Sequence, residues 1–281
     1  MTRIRSTQYL GLDAVELIDG TTRMVIVHAI GPRIAVFGTV GRDNLLYWDD
    51  AGEHRHGEWR MYGGHRLWTT RPDADESEET FAPDNLPCTV REQADGVEVT
   101  APPNASRIEK SIAVTVRDGR WILEHKLRNC GSLLWAGGLW ALTCTLPAPA
   151  THYRIPLEPT AESWDVLTMV IPRRWAGHTS RLDDPQFSLR EDALEFRALG
   201  DEAKRMIYAP RGTIVMTDPD RGTLVKTSEL QAGTYPRATN LAVYLGPRSF
   251  MAEIETMSPS ATLLPGQQLV HVETWAHTEP T

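Results

Sequence analysis

A chain of 281 residues, 41% of them apolar, is long enough to bury a substantial core in one large domain or two smaller ones. A net charge of −8 and an isoelectric point near 5.6 exclude the basic footprint that nucleic acid or an anionic membrane requires, and leave a small neutral or cationic ligand as the fitting partner. Cys88, Cys130 and Cys144 form no Cys-x-x-Cys pair and leave one over in any disulfide scheme, which fits a reducing cytoplasm. The first 17 residues lack the apolar core and cleavage site of a secretory leader, and no run approaches the roughly 20 apolar residues of a membrane span.

In chain order, period-two alternation or β-branched enrichment predicts strands over residues 24–30, 33–37, 96–100, 111–116, 121–127, 212–217, 223–227, 241–245, 250–256 and 269–275. Turn chemistry at Asp95-Gly96, Asp118-Gly119 and Arg221-Gly222 punctuates them as successive antiparallel hairpins, so the fold class is all-β, a large antiparallel β-sandwich with little helix. Asp118-Gly119 is the clearest hairpin. Residues 186–199 carry Leu189, Leu194 and Phe196 at imperfect helical spacing and are read as one short helix, while 19 prolines discourage longer ones. Residues 71–86, with the acidic run 73–79, read as a solvated loop, and the proline-rich 146–159 as an irregular connection. Without repeats or a low-complexity linker, the chain reads as one continuous domain.

Several constellations carry chemistry. Glu253 and Glu255 share one face of a strand with Met251 and Met257, and an enclosed glutamate pair needs a ligand, a cation or a proton. GGHRLW, residues 63–68, sets His65, Arg66 and Trp68 after two glycines that permit close backbone approach. In WILEHKL, residues 121–127, His125 falls on the apolar face and points inward; Trp135 and Trp140 flank Gly137-Gly138, and indole faces suit the C–H faces of sugars as well as a core. Lys226 shares the face of Leu224. His54 and His56 lie on one side of an extended segment near His65, but no third or fourth ligand is defined, so no metal is expected. No Gly-x-Ser-x-Gly, phosphate-binding loop, dinucleotide fingerprint or His-Glu-x-x-His is present, and no cofactor is expected.

Taken in order, GPRI (31–34), GGHRLW (63–68), FAPDN (81–85), the His125 strand ending in Asn129, WALT (140–143), the Lys226 strand, YPRATNLAVYLG (235–246) and AEIETMSP with LLPGQ (252–259, 263–267) resemble a bacterial branch of the galactose mutarotase-like superfamily over nearly the whole chain. The resemblance implies a single β-sandwich domain, 1–281, with a carbohydrate-sized cleft on its concave face and aldose 1-epimerase-like isomerase chemistry on a sugar or polyol-like ligand. Opening a cyclic hemiacetal needs one proton removed and another delivered. The base maps onto Glu255. In mutarotases of the superfamily the acid lies in a His-rich strand motif, but here that region reads GLWALT (138–143), so His65 or His125 takes the role. Arg66, Asn85, Lys226 and Glu253 then orient oxygens, with Trp68 and Trp140 as the apolar platform. The rival expectations are a carbohydrate-binding protein without catalysis, and an isomerase, cyclase or lyase acting on a non-sugar metabolite through the same Glu/His pair.

Overall fold

The computed structural model describes residues 2–71, 77–157, 168–172 and 181–280. Strand makes up 55% of these and helix 4%, so the all-β expectation holds. The strands form two large antiparallel sheets. The larger runs Arg3–Tyr9, Leu12–Asp19, Thr22–Val27, Arg33–Thr39, His65–Thr70, Trp135–Thr145, Ala252–Met257, Leu241–Leu245, Ala203–Tyr208 and Met169–Pro172, with Ala261–Leu263 also pairing to Trp135–Thr145. The smaller runs Phe187–Leu189, Ala193–Phe196, His152–Pro156, Thr213–Asp218, Gly222–Thr227, Gln268–Thr278, Arg120–Asn129, Ile108–Arg117, Gly96–Thr100 and Thr89–Gln93. One face of each sheet packs on the other, burying Trp121, Leu123 and Trp275 against Phe37, Leu139, Val243 and Ile254 in one apolar core. Among the described residues no helix is long and apolar enough to cross a membrane.

Each predicted strand is present. Asp118 and Gly119, at φ of 52° and 72°, close the hairpin between Ile108–Arg117 and Arg120–Asn129, with Val116 opposite Trp121. Two expectations need correction. Residues 186–199 form the strands Phe187–Leu189 and Ala193–Phe196, because Phe196 stacks on Tyr153 at 4.8 Å and the segment pairs with His152–Pro156, a tertiary partner that outweighs a weak helical period. That same strand, His152–Pro156, lies within the stretch read as irregular connection. Of the acidic run, Asp73 to Glu76 lie outside the described residues, whereas Glu78 and Glu79 are exposed on the one-turn helix Glu78–Phe81.

Between the sheets lies a polar chain that takes in three residues expected at a ligand site, His65, His125 and Lys226. His65 Nε2 is 2.7 Å from His125 Nε2, and His125 Nδ1 is 3.0 Å from the carbonyl of His271. A carbonyl only accepts, so Nδ1 of His125 carries its proton and Nε2 accepts from His65. His65 Nδ1 is left to accept from the Thr143 hydroxyl at 2.9 Å, and that hydroxyl accepts from Lys226 Nζ at 2.7 Å. Lys226 also meets Glu273 at 3.0 Å and donates to the carbonyl of Ile254 at 3.1 Å. Glu273 takes further bonds from Trp275 and from Thr256, whose oxygen accepts in turn from His271 Nε2. Every proton has one place when Lys226 and Glu273 are charged and the three imidazoles neutral.

Ligand atoms of His65, His125 and Glu273 lie within 4.8 Å of one another, a spacing compatible with a metal. The chemistry argues otherwise. Two imidazoles on one tetrahedral zinc ion at about 2.0–2.1 Å hold their nitrogens about 3.3 Å apart, not at a hydrogen-bond distance, and Lys226 already neutralises Glu273.

The network sets the response to acid. Burial pushes His65 well below its ordinary value and lowers His125, while burial and then His125 bring His271 to about 3. Burial opposes the charge of Glu273, but Lys226 beside it holds it well below the usual carboxylate range. Below pH 6.5 the unfolded chain binds protons that the folded chain refuses, so the imidazole contribution is complete above 6.5 and is lost as pH falls. Glu273 adds to the loss below its unfolded value. Urea unfolding should therefore show flat stability from pH 7 to 8 and a decline of up to about 4 kcal/mol per unit below pH 6, roughly 1.4 from each histidine; a flat profile to pH 5 would mean that the imidazoles titrate in the folded protein.

Entry into the His65–Thr70 strand depends on Gly64, which has φ of +69° and where a Cβ would stand 2.3 Å from the carbonyl oxygen of Ile34. Gly64→Ala should cost at least about 2 kcal/mol in the same experiment, from strained backbone plus overlap.

Candidate functional site

On the other face of the larger sheet, away from the core, lies a cavity of about 420 Å³. Alternation along three adjacent strands creates it. Cross-strand neighbours share a face, and the register aligns Trp68 with Trp140 and Met257, Arg66 with Leu142 and Glu255, and Cys144 with Glu253 and Tyr244. The intervening residues His65, Thr143, Ile254 and Thr256 point into the core. Lys204, opposite Tyr244, reaches the same floor. Walls come from Trp59, Phe81 and Phe250, and from His54 and His56 in and beside the small hairpin Arg55–His56 and Trp59–Arg60.

Both glutamates are buried, and each has the cation that burial demands. Arg66 donates to Glu253 Oε1 at 3.0 Å, an oxygen that also accepts from the Cys144 thiol at 3.3 Å. Lys204 Nζ stands 2.6 Å from Glu255 Oε1, and Trp140 Nε1 donates to Oε2 at 2.8 Å. Burial raises Glu255 above its ordinary value against the opposing pull of Lys204. Burial works against the charge of Arg66 too, but its hydrogen bond to Cys144 Sγ and the Glu253 carboxylate favour it and hold its value above the ordinary one. Burial pushes the Cys144 thiol up despite Arg66 beside it, so Cys144 stays a neutral donor. Glu255 is fully enclosed behind its two partners, whereas the Glu253 side chain keeps 8% of its surface and lines the cavity.

The expected site residues divide accordingly. Arg66, Trp68, Trp140 and Glu253 line the cavity, with Glu255 bonded to its floor. His65, His125 and Lys226 do not share it: they lie on the core side, so the expectation that His65 and Glu255 face one ligand is corrected by the one-residue offset between His65 and Arg66. Asn85 also stands outside it, holding the Arg60 backbone through Oδ1 and Nδ2 and lining a neighbouring groove. The histidines 54, 56 and 65 do not converge, because a sheet separates the last from the other two. Lys204 was missed; its only signal is a cation within a strand-like run, AKRMIY, beside the apolar 241–245 strand.

Two buried donors on cavity-lining residues, Arg66 Nε and Trp68 Nε1, have no hydrogen-bond partner, whereas the core network leaves none unpaired.

No family model and no curated protein matches the sequence. Solved structures do match. A galactose mutarotase-like protein from Lactobacillus casei aligns at a TM-score of 0.65 with 10% identity, covering 94% of this chain and 100% of that one. A galactose mutarotase related enzyme from Lactobacillus acidophilus gives 0.61 and 11%, over 95% and 98%, and the Slr1438 protein from Synechocystis sp. PCC 6803 gives 0.64 and 13%, over 95% and 96%. With its two opposed sheets and near-complete mutual coverage, the chain has the galactose mutarotase-like fold.

Proposed function

We propose that this protein is an aldose 1-epimerase-like carbohydrate-binding protein that takes one sugar ring, or a polyol of that size, into the cavity on the larger sheet. One observation carries the reading: three indoles, Trp59, Trp68 and Trp140, share a cavity of about 420 Å³ with the Arg66–Glu253 pair and with Lys204, which Glu255 holds from behind. Indoles suit the C–H faces of a sugar and fixed ionic groups suit its hydroxyls, the mixed lining expected of a small-molecule site. The names of the fold neighbours agree, although fold alone does not assign substrate. Glu253 contacts the ligand directly, and Glu255 holds Lys204 and Trp140 in place; the base expected at Glu255 thus moves to its neighbour. Three unpaired cysteines support a cytoplasmic setting, and the net charge of −8 supports a small ligand over nucleic acid or membrane.

The second reading, binding without turnover, is favoured by His65 and His125 lying on the core side of the sheet. Calorimetry and tryptophan fluorescence with a panel of aldoses and polyols, beside NMR of anomer interconversion, separate the two. Binding is expected, and Glu253→Gln should weaken it at least about tenfold, the scale of one hydrogen bond to a charged group, with far-UV circular dichroism unchanged. Absence of any sugar or polyol effect at millimolar concentration would refute the site.

A further inference from the structure

We infer that His54 is the proton donor of this cavity, an inference that rests on the sugar-binding reading above. Ring opening of a hemiacetal needs a donor at the ring oxygen, and the core-facing imidazoles cannot reach one. Among the cavity's own residues Lys204 is occupied by Glu255 at 2.6 Å. His56 lines the cavity as well, but among the described residues no side-chain hydrogen bond fixes its ring.

His54 is fixed on every side but one. Its backbone N–H donates to Asp49 Oδ2 at 3.0 Å and its carbonyl accepts from Met61 at 3.0 Å. The imidazole stacks on Phe250, with ring centroids 4.1 Å apart and planes 14° from parallel. Nδ1 lies 3.2 Å from the Tyr47 hydroxyl and 3.8 Å from Asp49 Oδ2. Tyr47 is itself tied to the floor, its N–H donating to the carbonyl of Cys144 at 2.9 Å. Asp49 is buried, yet backbone N–H groups of His54 and Glu53 keep its carboxyl below the ordinary range, so a negative charge stands behind Nδ1. That arrangement engages Nδ1 and leaves Nε2 without a partner among the described residues, on a ring that lines the cavity; 29% of the side chain is exposed. A ring held on one edge by an acceptor and presenting the other to a ligand has the geometry of a general acid.

The step balances without an external reagent. Glu253 takes the proton of the anomeric hydroxyl, the carbonyl forms at the anomeric carbon, the bond to the ring oxygen breaks, and that oxygen receives the Nε2 proton of His54. Rotation about the adjacent carbon–carbon bond and reversal of the transfers give the other anomer and restore both groups.

The test uses full-length protein, with a sugar that binds in the calorimetric panel, comparing parent, His54→Gln and Tyr47→Phe for affinity, anomer interconversion by NMR, and imidazole 15N shifts. In the parent, interconversion should exceed the spontaneous rate and sugar should shift the His54 resonances. His54→Gln should lose about a hundredfold to ten-thousandfold in kcat, the range of one general acid, with Kd within a few-fold. Tyr47→Phe, which keeps the imidazole but frees Nδ1, should lose less and guards against a folding artefact. Parent-like turnover by His54→Gln overturns the assignment and leaves the sugar site standing. Binding without turnover in the parent also overturns it and supports the second reading, while absence of binding removes the site and the donor together.

Discussion

The strict alternation of side chains along three neighbouring strands, His65–Thr70, Trp135–Thr145 and Ala252–Met257, is the constraint on which the molecule depends. Because the register pairs Arg66 with Leu142 and Glu255, and His65 with Thr143 and Ile254, two polar systems grow in opposite directions from adjacent residues of the same strands. A slip of one residue would exchange them. The sheet keeps them apart as firmly as it keeps the strands together.

The two systems answer the cost of burying charge differently. On the core side, Lys226 and Glu273 neutralise each other, and hydroxyls and imidazoles complete a chain in which each donor meets an acceptor. Removing one member leaves an uncompensated charge, which is why such networks are strongly destabilising to break even when they add little over an apolar core. On the outer side, Arg66–Glu253 and Lys204–Glu255 satisfy the carboxylates but leave Arg66 Nε and Trp68 Nε1 without partners. The closed network is structural and the open one faces a cavity.

The hairpin carrying His54 links these features to chemistry. It belongs to neither large sheet, yet Asn85 grips its Arg60 backbone, Asp49 grips its entry, and Arg33, fully buried, donates to the carbonyls of Met61 and Gly63 at 2.9 Å. Asn85, expected to touch ligand, therefore helps build the wall that the ligand would meet.

Local sequence determined the all-β class, the Asp118-Gly119 hairpin and the facing of single strands: Trp121, Leu123, His125 and Leu127 do point inward together, as period-two alternation requires. It also placed Glu253 and Glu255 on one face and required of an enclosed pair a ligand, a cation or a proton, of which the structure supplies the cations Arg66 and Lys204. Register between strands was not legible, since pairing His65 with Thr143, or Lys204 with Tyr244, depends on contacts between segments nearly 80 and 40 residues apart. So the sequence alone grouped His65 with Arg66 as neighbours, and only the tertiary structure separated them, because adjacent residues of a strand face opposite ways and the second sheet covers just one of those faces.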